Sequence, residues 1–165
     1  MQVEAIRTPR YAMWRTLSGK PVPDVTAAVQ SLLRHDEVTV HIGTDSQEYA
    51  YDAHYVTVVA VIDPGCGGRV FYRRERTKRT PSLAHRLFRE AELSLAAATM
   101  LDPQIAHDIV VHVDANEDQR HRSSKYTRSL AGMVVGHGFQ VRVKPDSWCA
   151  THVADYLVKG KHHAA

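Results

Sequence analysis

Two β-branched runs in this 165-residue chain, "EVTVHIGTD" and "HDIVVHVDAN", each carry an aspartate at or near their end, Asp45 and Asp114. Alternate residues of a strand share a face, so Asp45 goes with Gly43 and His41, and Asp114 goes with His112. If the two strands lie side by side and parallel, their carboxylates meet at the carboxyl edge of a sheet, where α/β folds place ligands. Carboxylates that close repel each other. They stay ionised at neutral pH mainly when a cation lies between them, and oxygen ligands suit Mg²⁺ or Mn²⁺. The first chemistry these residues suggest is therefore a divalent metal site.

Two further acids could complete it. In "SLAHRLFREAELSLAAATML" a turn of ~100° per residue, with Leu87 at zero, puts Glu90 at about −60° and Glu92 near +140°. Glu90 then borders the apolar stripe and can reach inward, while Glu92 faces solvent. Asp146 ends the run "FQVRVKPD", where Pro145 fixes the chain at a defined point. Asp155 lies about 13 Å further along a helix at ~1.5 Å per residue, too far to join unless that helix lies across the site. Asp146 is the expected fourth acid and Asp155 the alternative. Ordinary roles compete: strand-terminal aspartates commonly cap turns or helices, and His41 and His112 can be satisfied core histidines.

The elements that must position these side chains follow from period and punctuation. Residues 1–23 lack a clean period and read as an irregular arm; Asp24 caps an amphipathic helix over 24–35. Three strands follow, "EVTVHIGTD", "AHYVTVVAVID" and "GRVFYRRER", the last two joined by the turn "PGCGG". After Pro81, Ser82 caps a helix reaching nearly to Leu101. Then come the Asp114 strand, a helix over about 123–135 stopped by "GHG", the strand "FQVRVKPD", and a closing helix in "SWCATHVADYLVKG". The order is βββαβαβα after the leading helix. It predicts a single α/β domain over 1–165: a five-stranded mixed sheet, three strands antiparallel and the rest parallel, flanked by helices.

Composition, with 44% hydrophobic and 24% charged residues, is ordinary for a globular chain, and a net charge of +3 with pI near 9.0 is compatible with a polyanionic partner. Arg73, Arg74, Arg76, Lys78 and Arg79 in "YRRERTKRT" could neutralise phosphates, or simply keep an edge strand soluble. Arg120, Arg122, Ser123, Ser124 and Lys125 follow the Asp114 strand and could hold a phosphate at a helix N-terminus. Tyr11 and Trp14 with Arg10 and Arg15 could stack on bases, but an arm folded over the sheet is the preferred reading. Cys66 and Cys149 form no metal or redox motif, no run is long enough to span a bilayer, and "MQVEAIRTPR" has no apolar block. A soluble protein of the cytoplasm is expected.

The segments "GTDSQ", "SLAHRLFREAELSL", "HVDAN" and "KPDSWCATHVADYLVK", in this order, resemble the YkuK-type family of ribonuclease H-like proteins over about residues 30–160. The resemblance implies the ribonuclease H-like fold, with Asp45, Glu90, Asp114 and Asp146 as its four acids. It implies a metal-dependent nuclease that hydrolyses DNA, RNA or a hybrid with two Mg²⁺ or Mn²⁺ ions, one activating water and one stabilising the leaving 3′-oxygen, Asp45 bridging both. His121 is the candidate for the loop histidine that assists product release in ribonuclease H. The alternative is a ribonuclease H-like module that grips nucleic acid or a protein and does not cut. An actin-like phosphotransferase is the weaker third reading, since "GTDSQ" lacks a second phosphate loop.

Overall fold

The structure, a computed structural model, describes residues 12–79 and 82–160; Arg10, Tyr11 and Pro81 lie outside them. Its sheet has seven strands, not the five expected, in the order β2-β1-β5-β4-β3-β6-β7. The extra two come from the arm: β1 (Trp14–Thr16) and β2 (Pro21–Val22) form a short hairpin on the edge of β5 (Gly67–Lys78). Strands of three and two residues carry no readable alternation, and Pro21 is tolerated there because β2 is an edge. Trp14 is buried, with the Arg73 guanidinium over its ring, so it covers the sheet and is not free to stack on bases.

Asp24 caps α1 (Val25–Gln30) by accepting from the Ala27 N–H, but the helix ends well before 35. β3 (Thr39–Glu48), β4 (Asp52–Asp63) and β5 form the antiparallel meander. β3 does not stop at Asp45: the ladder with β4 continues to Glu48 opposite Ala53. α2 (Leu83–Leu101), capped by Ser82, leads to β6 (Ile109–Asn116), which pairs parallel with β3; α3 (Ser124–Gly136) then leads to β7 (Gln140–Lys144), parallel to β6. After β7 come a π-helix (Cys149–Ala154) and α4 (Asp155–Lys159).

Each face of the sheet has its own core. Val40, Ile42, Val59, Val111 and Val113 pack under Leu87, Ala91, Leu95 and Ala98 of α2. Val56, Val58, Ala60 and Tyr72 pack under Cys149, Ala154, Leu157 and Val158. The strands are thus covered on both sides, which suits their continuous β-branched composition.

Two polar pegs fix α2 on β3. Ser46 Oγ donates to Glu90 Oε1 at 2.5 Å, and Thr44 Oγ1 lies 2.7 Å from Ser94 Oγ. Glu90 and Ser94 are four residues apart on a helix, ~6 Å of rise, and Ser46 and Thr44 are two apart on a strand, ~6.7 Å. The two spacings match, so both bonds form at once and set the register of the helix over the strand.

Candidate metal centre

Gly43 pairs with His112 in the β3–β6 ladder, so Asp45 and Asp114, each two residues further, sit at the carboxyl end of adjacent parallel strands. The face they share lies under the closing helix. A side chain at Gly43 would put its Cβ 2.6 Å from Ala150 N and 2.8 Å from the Cys149 carbonyl carbon, so the π-helix rests directly on the β3 backbone. That close approach carries α4 across the strand ends and brings Asp155 to Asp45.

The carboxylates gathered here are Asp45, Asp114 and Asp155, which line a cleft of about 630 Å³ together with Ser46, Glu48, Arg79, Arg86 and Lys159. Asp146 is not among them. It is exposed in the turn after β7, its N–H donating to Val143 O. The π-helix is the reason: its different pitch and its seat on Gly43 turn the helix over the site, which a straight α-helix drawn from sequence does not do. Glu90 is buried behind Ser46, within electrostatic reach of Asp45 and Asp114 but not on the cleft wall, while Glu92 is exposed and paired with Arg89.

Burial, then the Asp114 charge, then a hydrogen bond shared with Asp155 push Asp45 up to about 7. Burial, followed by the Asp45 charge, pushes Glu90 well above the usual carboxylate range. The excess negative charge is met by lysines: Lys144 Nζ stands 2.6 Å from Asp114 Oδ1, without the direction of a hydrogen bond, and Lys159 Nζ 2.5 Å from Asp155 Oδ1. Among the described residues no three acidic, histidine or cysteine side chains are already gathered as a coordination set. The donor chemistry nonetheless fits a hard divalent ion: Asp45, whose ionisation is opposed by burial and by the Asp114 charge, stands with Asp114 and Asp155, which are paired with Lys144 and Lys159.

Beneath the acids, His41 Nδ1 lies 2.9 Å from His112 Nε2, His41 Nε2 lies 3.0 Å from Thr39 Oγ1, and the Cys149 N–H points to His112 Nδ1 at 3.4 Å. If His112 Nδ1 accepts from Cys149, each ring has one donor left to pass on, so both are satisfied as neutral imidazoles. Burial holds His41 down at about 4 and His112 at about 3. Trp148 packs on both rings. The pair is a floor that ties β3, β6 and the π-helix together.

The basic residues divide differently from their sequence clusters. Arg73 pairs with Glu75, Arg74 donates to Leu157 O and Arg76 pairs with Asp52, so these three are engaged within the fold, and Lys78 is exposed on the same strand. The cations on the carboxylate cleft are Arg79, Arg86 and Lys159. Arg86 and Lys159 carry no sequence signal of their own, lying in ordinary helical positions. Arg122, Ser124 and Lys125 line a second cleft with His121, while Ser123 Oγ accepts from the Asn116 N–H. His121 therefore lies on that second cleft and not on the carboxylate one. Arg120 is held by Asp118.

A family model described as ribonuclease H-like matches residues 24–159. With the mixed sheet and its flanking helices, this defines the class: a ribonuclease H-like α/β protein. The chain belongs to the ribonuclease H-like family, of the YkuK type. A comparison with curated proteins finds no match. No helix among the described residues is long and apolar enough to cross a membrane.

The position of Asp45 has a measurable consequence. Its carboxyl is ordinary, near 3.8, in the unfolded chain and about 7 in the fold. The folded state thus holds a proton that the unfolded state releases, and metal-free stability falls as pH rises through that window. Asparagine keeps the shape without the charge. In EDTA, Asp45→Asn should resist denaturant better than the wild type at pH 8, with the gap closing toward pH 4. A gap independent of pH would contradict the buried charge.

Proposed function

We propose that the protein is a divalent-metal-dependent nuclease acting on phosphodiester bonds of nucleic acid. The observation that carries this is the meeting of Asp45, Asp114 and Asp155 at the carboxyl edge of adjacent strands, inside a cleft that also presents Arg79 and Arg86. Asp45, flanked by both other carboxylates, would hold Mg²⁺ or Mn²⁺ with them, and Glu90 would supply a further carboxylate from behind Ser46. A bound ion would supply Lewis-acid activation of water and stabilisation of the leaving oxygen. Arg79 and Arg86 would position the backbone phosphates, and Lys159, freed from Asp155, would add a further cation on the same wall.

The test is incubation of purified protein with single-stranded, duplex, hybrid and branched oligonucleotides in Mg²⁺ or Mn²⁺. Cleavage of at least one class, abolished by EDTA, is expected. Absence of cleavage on all of them in both metals overturns the reading.

The Lys144–Asp114 pair favours one rival. If that pair is permanent, the domain grips nucleic acid or a protein without cutting. Binding of nucleic acid with no affinity for Mn²⁺ would establish that alternative.

A further inference from the structure

The three-residue connection between β3 and β4 is Tyr49-Ala50-Tyr51. An aromatic pair is unusual chemistry for a hairpin tip, where small and turn-forming residues are favoured. Tyr51 is 85% exposed and Tyr49 is 43% exposed, so neither ring is used by the core. The tip is nevertheless held. The Tyr49 N–H donates to Asp52 O, the Arg79 N–H donates to Tyr51 O, and the Tyr49 ring packs at 4.6 Å on His54.

Tyr49 and Ala50 form the outer wall of the same cleft that ends on Asp45 and Asp114. Arg79 and Arg86 line the same cleft, 3.8 and 3.5 Å from the one acid Glu48. Two guanidiniums against one carboxylate leave positive charge on this wall, and Arg86 Nε has no hydrogen-bond partner. One cleft thus presents the Tyr49 ring, the cations Arg79 and Arg86, and the carboxylates of Asp45 and Asp114, with Tyr51 two residues from Tyr49 on the same tip.

We propose that this tip is a stacking platform that makes the cleft select single-stranded nucleic acid. This deepens the nuclease reading and rests on it for what happens at the carboxylates. Unpaired bases would lie on Tyr51 and Tyr49 while their phosphates pass Arg79 and Arg86 toward Asp45. Tyrosine rings accept any base face, so this contact carries no sequence preference. A duplex keeps its bases stacked internally and offers the rings nothing but backbone. The preference for single strands follows from that difference.

The test is fluorescence anisotropy with the full-length Asp45→Asn protein in EDTA at low salt, so that no cleavage intervenes. The probes are a fluorescein-labelled mixed-sequence single strand, its blunt duplex, and an abasic strand of equal length. The single strand should bind about 10-fold or more tightly than the duplex, and the Tyr49→Ala/Tyr51→Ala variant should lose about that factor on the single strand and almost nothing on the abasic strand. Tyr49→Phe/Tyr51→Phe should restore binding. Because Tyr49 touches His54, Tyr51→Ala alone is the second variant, and at its exposure it cannot act through unfolding. Equal binding of single strand and duplex, an alanine variant unchanged on the single strand, or no binding of any probe overturns the proposal. Failure of the nuclease reading is separate, and shows as absence of metal-dependent cleavage by the wild type.

Discussion

Asp45→Asn is expected to reduce Mn²⁺-dependent cleavage by more than ~100-fold without unfolding the protein. Losing a group that merely orients a metal ligand commonly costs 10–100-fold, and in the proposed function Asp45, beside Asp114 and Asp155, would be a ligand itself. Asparagine is isosteric and cannot ionise, so the buried position is better satisfied by it in the absence of metal, and collapse of the fold cannot explain the loss. Asp146→Asn is the matched control. Asp146 is exposed in the turn after β7 and does not line the cleft, and its replacement should leave the rate within a few-fold of wild type. Cleavage rates of the two variants in parallel decide this. A near-normal rate for Asp45→Asn, or equal losses in both, contradicts the placement of the site.

Gly43→Val is expected to be strongly destabilising even though valine favours strands. The glycine has no unusual φ, so conformational freedom is not the issue. The space is already taken by Ala150 N and Cα and the Cys149 carbonyl carbon, all backbone and within 3 Å of where a Cβ would stand. Backbone on both sides cannot step aside as a flexible side chain can. Overpacking of this kind costs about 1–3 kcal/mol or more, a fall of several degrees in Tm for a chain of this size. Because the displaced element carries Asp155, metal affinity should fall as well, with Asp45 and Asp114 untouched. Gly132→Ala in α3, where a Cβ meets nothing within 4 Å, should instead be neutral or stabilising by up to ~1 kcal/mol. Thermal melts and Mn²⁺ titrations of both variants separate these outcomes. A Gly43→Val protein as stable as wild type would mean that the π-helix does not rest on β3.

The strand pairing behind the site was legible because a period of two leaves little choice: once "HIGTD" and "HVDAN" are parallel neighbours, Asp45 and Asp114 must meet. Glu90 was legible from its angle on α2, since a glutamate bordering a leucine–alanine stripe is turned toward the sheet. Asp155 was legible only as the alternative to Asp146, because its place depends on the π-helix, which changes the angular position of every later residue, and on Gly43, which lets that helix descend onto the strand. The trace it left was a glycine inside an apolar strand, a mark of close backbone approach, matched by the small residues Cys149, Ala150 and Ala154. The basic run on β5 is divided among several surroundings for a related reason. Alternate residues of a strand face opposite ways, so Arg73 meets Glu75 and Trp14 while Arg74 turns to the closing helix, and Arg79, beyond the end of β5, reaches the cleft. The arm's two strands were too short to carry a period and are fixed by the edge of β5 that they cover.

Anomalous scattering from crystals soaked in Mn²⁺ tests the central claim most directly. The expected result is an anomalous peak in the cleft, touching the carboxylates of Asp45 and at least one of Asp114 and Asp155, with Lys144 or Lys159 moved off its partner. A cleft with no peak, with Lys144 still on Asp114 and Lys159 still on Asp155, would contradict it.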